Sequence, residues 1–192
     1  MKYQIVCCLL LAGVLGLAAS PAIADTTVSV GAAGPVSVGD AFAVDVNIAT
    51  VSDLYDFELD LSFDPAIVQL NNIAEGAFLP QGGTTLFLPG FIDNAGGSAT
   101  FNADTLLGLI PGVNDSGVLL EFDFQALAVG TSALSLSNIL LQDSTGANID
   151  FTSADGSVTV TSAGPVGTPE PGTLSLLAGA CGALLLASLK RS

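Results

Sequence analysis

The sequence predicts an all-β protein: a single two-sheet sandwich or jelly roll of about nine strands, flanked by an N-terminal signal helix and a C-terminal transmembrane helix. Three observations carry that expectation. Apolar and polar residues alternate with period two through most of residues 25–160, Gly-, Asn- and Asp-rich turns separate the alternating runs, and the long uncharged stretches lie at the two ends of the 192-residue chain. No interior stretch shows the helical period.

At the start, Lys2 precedes an apolar run from Ile5 to Leu17 and then Ala18-Ala19-Ser20-Pro21-Ala22-Ile23-Ala24. A basic start, a short apolar core and a small-x-small site describe a secretory signal peptide over 1–24, cut between Ala24 and Asp25 with Ala22 and Ala24 in the peptidase site. The run is short for an uncleaved membrane anchor. Cys7 and Cys8 lie too early for a lipoprotein-type cleavage and serve as small apolar residues.

One domain is expected over 25–160, long enough to bury a core of its own. Its first strand is Thr27 to Val30. In the second, Phe42, Val44, Val46 and Ile48 face one way and Ala43, Asp45 and Asn47 the other. Tyr55, Phe57, Leu59, Leu61 and Phe63 then alternate with Asp56, Glu58, Asp60 and Ser62, the cleanest half-buried strand in the chain. Ile67 to Ile73, Leu86 to Ile92 and Ala99 to Ala103 follow as shorter strands. Val118, Leu120, Phe122, Phe124 and Ala126 repeat the alternation against Glu121, Asp123 and Gln125, and Ala133 to Leu141 and Ser157 to Thr161 complete the set. The turns are Gly31 to Gly34, Val38-Gly39-Asp40, Asp93 to Gly97, Asn114 to Gly117, Asp143 to Gly146 and Ala154-Asp155-Gly156. Residues 161–168, small or apolar with Gly164-Pro165, read as a flexible linker.

Charge narrows the function. The chain has 18 acids, three basic residues and no His, for a net charge of −15. The basic residues are Lys2, Lys190 and Arg191, so no cation stands between Tyr3 and Leu189 and no ion pair can form there. Nucleic acid is excluded as a partner, because nothing neutralises phosphate. The three Cys (Cys7, Cys8, Cys181) all lie in the apolar ends, which leaves the domain without disulfides and without the usual zinc or haem ligands. No catalytic residue is expected: triads, Schiff bases and phosphate clamps need side chains that the domain lacks. Paired carboxylates for glycoside hydrolysis remain formally available, but the acids alternate outward on strands or sit in turns, as solvated groups do.

Calcium is the candidate cofactor, since a hard cation prefers oxygen ligands from carboxylate-rich loops. Asp40, Asp93, Asn94, Asp104, Asp115, Asp143, Asn148, Asp150 and Asp155 are expected in or beside turns, and Asp143, Asn148 and Asp150 form the closest string. None has EF-hand spacing, and a plain hairpin turn explains that string as well. Sugar stacking has little to work with: the domain has no Trp and one Tyr, Tyr55. Phe78, Phe87 and Phe91 are the aromatic candidates, against the plainer expectation that they plug the end of the core.

The C-terminus reads Thr168-Pro169-Glu170-Pro171, an uncharged run from Gly172 to Leu189, and Lys190-Arg191-Ser192. As a helix that run spans about 27 Å, just enough for a bilayer core, and the basic end favours the cytoplasm. Pro169, Glu170 and Pro171, the short Leu/Gly/Ala-rich span, and Lys190 with Arg191 resemble the PEP-CTERM sorting signal of Gram-negative bacteria. That resemblance implies recognition by a membrane-embedded exosortase-type enzyme, transient membrane anchoring, and delivery to the envelope surface or extracellular polysaccharide matrix. The plainer alternative is that Pro-Glu-Pro caps a rigid stalk and the tail stays as an anchor.

The order of features in the domain also resembles the cohesin domain and its carbohydrate-binding-module relatives. It rests on Gly39-Asp40 before a strand, Leu54-Tyr55-Asp56-Phe57-Glu58-Leu59, Phe63-Asp64-Pro65 and Ile67-Val68. Further on come Gly117 to Phe124, Leu134-Ser135-Leu136 and Gly156 to Val160. The resemblance implies a nine-strand jelly roll that docks a dockerin-like partner through a sheet face containing the third strand. By strand order that face takes Asp56, Glu58 and Asp60, with Thr100 and Asn102 from a neighbouring strand. The expected function is therefore an exported, non-catalytic recognition module for a protein partner or extracellular polysaccharide; the alternative is a passive structural matrix component.

Overall fold

The computed structural model describes residues 25–163. The expected signal peptide, the sorting motif with its span, and most of the linker lie outside them. Among the described residues no helix is long and apolar enough to cross a membrane.

Eleven strands and one 3-10 turn make up the described chain. In order they are β1 (Thr26–Val30), β2 (Val36–Ser37), β3 (Ala41–Ser62), β4 (Val68–Glu75), β5 (Thr85–Leu88) and β6 (Phe91–Asp93). Then come β7 (Ser98–Leu106), β8 (Val113–Ala126), β9 (Gly130–Asp143), β10 (Phe151–Ala154) and β11 (Gly156–Thr161). The 3-10 turn, Leu79–Gln81, lies in the β4–β5 connection.

The two strongest sequence strands turn out to be one. β3 runs for 22 residues and serves both layers of the sandwich. Its first half pairs with β1 and β8, its second with β7 and β9. Between them the chain arches over one end of the domain, where Thr50 (φ 57°) and Asp53 (φ 59°) take left-handed backbone. Residues expected to form a turn of their own brace that arch. Asn114 Oδ1 accepts from the Asp53 amide (3.0 Å) and the Ser52 hydroxyl (3.2 Å), and Ser116 Oγ accepts from the Thr50 amide (3.0 Å). Asn114 to Gly117 are therefore the start of β8, not a loop, because their side chains cap another strand's backbone.

Two other differences are local, and one expected turn is explained by its geometry. Leu86 to Ile92 divides into β5 and β6 at Pro89-Gly90, since proline gives no amide to the ladder and Gly90 turns at φ 71°. β2 and β10, too short to show a period, each pair in parallel with a terminal strand. Gly97 closes the β6–β7 hairpin at φ 70°, and a Cβ there would sit 2.3 Å from the Phe63 carbonyl oxygen.

Inward-facing residues of both layers form one core. Val44, Val46, Ile48, Leu120, Phe122 and Phe124 come from one layer, and Leu54, Phe57, Leu59 and Leu61 from the other. Near the end opposite the arch, Phe42 stacks on Phe124 and Phe63 meets it edge-on, at 5.6 and 5.4 Å between centroids. Of the expected aromatic plug, Phe78 is buried and Phe87 half-buried, but Phe91 is 74% exposed. The chain enters at the arch end, where the Thr50 hydroxyl donates to the Asp25 carbonyl, and leaves at the other, where Val38 donates to the Thr161 carbonyl.

Candidate functional site

Residues directly opposite each other in a ladder share a face. The registers therefore assemble the outer surface of the layer β5–β7–β3–β9 residue by residue. Asp56 lies opposite Thr105 and Gln142, Glu58 opposite Ala103 and Leu140, and Asp60 opposite Ser137. On the flanking strand Leu86 is opposite Thr105 and Leu88 opposite Ala103. The expected acidic row thus occupies the middle of a real face, and its flanks are apolar.

Two bulges shape it. On β7, Thr100 and Phe101 together face the single residue Asp60, and Phe101 sits at φ 60° with its side chain 61% exposed. On β9, Asn138 takes φ 50°. Asp60 clasps both: Oδ1 accepts from the Phe101 amide at 2.8 Å and Oδ2 from the Asn138 amide group at 2.6 Å. Leu86 and Leu88 are about half exposed, and Phe91 stands opposite Thr100 on the short strand beyond. The sequence signal for these apolar residues is the odd-even pattern of Thr85 to Leu88: read as an edge strand, it puts Leu86 and Leu88 outside and Phe87 inside.

The five expected face residues divide. Asp56 and Glu58 are partly exposed on the face, Asp60 is committed to the bulges, and Thr100 contributes at the bulge. Asn102 is not on the face at all. It is fully buried opposite Leu59, and its amide donates to the Leu59 carbonyl (2.9 Å) and the Ala99 carbonyl (3.1 Å). The extra residue in the β7 bulge keeps Asn102 and Ala99 on the same inward side, which period-two counting could not foresee. Burial raises the Asp56 carboxyl above the usual carboxylate range, partly offset by the Thr105 hydroxyl.

The calcium string behaves as a hairpin turn. Asp143 Oδ1 accepts from the Thr145 hydroxyl (2.7 Å), the Thr145 amide (2.8 Å) and the Ala147 amide (3.0 Å), and those donors, the hydroxyl first, hold its carboxyl below the usual range. Asn148 accepts from Gln142, and Asp150 is exposed. Several of the other acids are also occupied by local amides: Asp40 by Ser37, Asp93 by Ala95 and Gly96, and Asp155 by Leu136. Among the described residues, no three His, Cys, Asp or Glu side chains are grouped to hold a metal ion. Asp104, expected beside a turn, lies mid-strand on the inner side of β7 and is fully buried.

A model of the cohesin domain matches residues 26–160. Among solved structures, a non-cellulosomal cohesin from the archaeon Archaeoglobus fulgidus superposes with a TM-score of 0.57 at 20% identity, covering 72% of this chain and 93% of that one. The third cohesin of ScaC from Acetivibrio cellulolyticus, solved with the ScaB dockerin, gives 0.60 at 16% identity over 71% and 99%. A cohesin in a type I cohesin–dockerin complex from Clostridium thermocellum gives 0.59 at 14% identity over 71% and 99%. No curated protein matches in sequence.

Proposed function

The chain belongs to the cohesin family over residues 26–160, and from that premise we propose that it is a recognition module whose partner, a dockerin-like protein, seats on the outer face of β5–β7–β3–β9. A non-catalytic role accords with family membership. One observation carries the choice of face: Leu86, Leu88, Phe91 and Phe101, all half exposed or more, gather on that layer beside the acids Asp56 and Glu58. Apolar side chains left in water beside an acidic row favour a partner that brings apolar anchors with Lys or Arg at their edge. The domain itself supplies no cation for those acids.

Titrating the full-length chain with isolated dockerin modules tests this. Binding should weaken as salt rises, and Leu88→Glu with Phe101→Ser should lower affinity at least about tenfold, as loss of central anchors does. Unchanged affinity in that double variant would remove the face from consideration, and binding to extracellular polysaccharide that survives in it would favour glycan recognition elsewhere. We further propose export through the signal peptide and sorting by an exosortase-type enzyme acting on Pro169, Glu170 and Pro171. Alanine at those three positions should then leave the protein in the inner membrane.

A further inference from the structure

We propose that Asp104 keeps its proton inside the sandwich and donates it to the Glu75 carboxylate, and that this hydrogen bond, continued through Thr85, latches β5 to β7 and β4. Asp104 is fully buried, and neither of its carboxylate oxygens has a well-formed hydrogen bond; the nearby Thr105 backbone amide offsets the effect of burial only in part. The group that faces it within hydrogen-bonding reach is another acceptor, the Glu75 carboxylate at the end of β4. Glu75 in turn accepts from the hydroxyl of Thr85, the first residue of β5. Two carboxylates and a hydroxyl thus link β7, β4 and β5, and they lack only a hydrogen between the two acids.

No side chain can compensate the charge in any other way. The surroundings of Asp104 are Phe57 on β3, Phe87 on β5 and the turn Leu79–Gln81. The turn and its flanks, residues 76–84, hold nothing that titrates. The neighbouring charged groups are Asp56 on β3 beside Asp104, and Asp45 on β3 and Glu121 on β8 beside Glu75, all of them further acids. Lys and Arg are absent from every described residue. A buried carboxylate without a well-formed donor or a counter-ion is held neutral, because ionising it in low dielectric costs more than taking up a proton. A proton on Asp104 supplies the missing donor to Glu75. Burial first, and then the proximity of Glu75, push the Asp104 carboxyl up to about 7. Calcium fits less well, since it takes at least about six oxygens and the site offers two carboxylates and one hydroxyl with no exposed edge at Asp104.

The sign follows from linkage. A carboxyl whose folded value lies above its unfolded one binds its proton more tightly when folded. Its stabilisation is lost as pH rises from the ordinary range near 4 through about 7. Hydrogen exchange of the full-length chain, corrected for the intrinsic pH dependence, should show protection of the Thr85–Leu88 amides falling at least about tenfold between roughly pH 5.5 and pH 8. Asp104→Asn, which carries a permanent donor, should hold that protection flat. Glu75→Gln, with a donor on the opposite side, should do the same and serves if the first variant fails to fold. A wild type without the fall, or variants that fall in parallel with it, would overturn the proposal. So would calcium restoring protection at pH 8 in wild type but not in Asp104→Asn, since the pair would then hold a metal ion.

Discussion

Asp60 and Phe101 show how one side chain can make an irregular backbone affordable. Asp60 binds the backbone amide of Phe101 and the side-chain amide of Asn138, bulge residues that both lie in left-handed backbone. Such conformations cost a non-glycine residue about 1–2 kcal/mol. Asp60→Ala removes both anchors and is expected to lower stability by about 1–3 kcal/mol in a urea titration of the full-length chain, with the loss concentrated where β7 and β9 flank β3. Phe101→Gly separates conformation from contact: it should leave stability unchanged or raise it by about 1 kcal/mol while weakening the partner. At this scale the sequence was half legible. Alternation put Asp56, Glu58 and Asp60 on the outer side, and they are there. It put Asn102 on the outside as well, because an inserted residue that flips the count leaves no composition signal in Ala99 to Ala103. Asp104 was misplaced for a related reason: an Asp between short strands reads as a turn residue, and only the pairing of β7 with β3 and β5, which sets it opposite Phe57 and Phe87, reveals it as buried.

Among the elements, β3 carries both layers, so its inward residues are the ones whose loss is felt everywhere. Leu59→Ala, at a fully buried position, is expected to cost about 2–5 kcal/mol by thermal or urea unfolding, with both layers melting together. Edge strand β5 is the opposite case. Leu86 and Leu88 touch water, so replacing both with Lys should change stability by no more than about 1 kcal/mol while abolishing partner binding and reducing aggregation of the free protein. The sequence made the two halves of β3 plain because each alternates cleanly. Their continuity was hidden, since the arch at residues 49–53 is braced by side chains from β8 far along the chain. Pro89-Gly90, by contrast, is a break that the residue types announce, and the expected strand across it was too long.

For the whole molecule, charge and protonation set opposite limits. Every acid but Glu170 lies in the described domain, with no cation to offset it, so copies repel one another at low salt. Asp53 and Asp143 are held below the usual range, Asp53 chiefly by the Ser144 hydroxyl and then the Gly112 amide, and Asp143 chiefly by the Thr145 hydroxyl. What they contribute is present above the ordinary range near 4 and is lost as pH falls through their depressed values. Asp104 and Asp56 act in the other direction, losing their contribution as pH rises. The melting temperature of the full-length chain is therefore expected to peak at about pH 5 and decline on both sides. Scanning calorimetry across pH would read a plateau to pH 8 as evidence against it.

The chain leaves the domain at the end opposite the arch, through β11, and β11 lies beside β9, which lies beside β3 and the proposed docking face. That order of strands is also a mechanical circuit. β9 and β11 are joined by five register pairs from Gly156↔Leu134 to Val160↔Gly130, and antiparallel backbone hydrogen bonds run across the strands. A pull between a seated partner and the chain beyond Thr161 is carried along those strands, so the five pairs bear it in shear, all at once, rather than opening one by one like a zip.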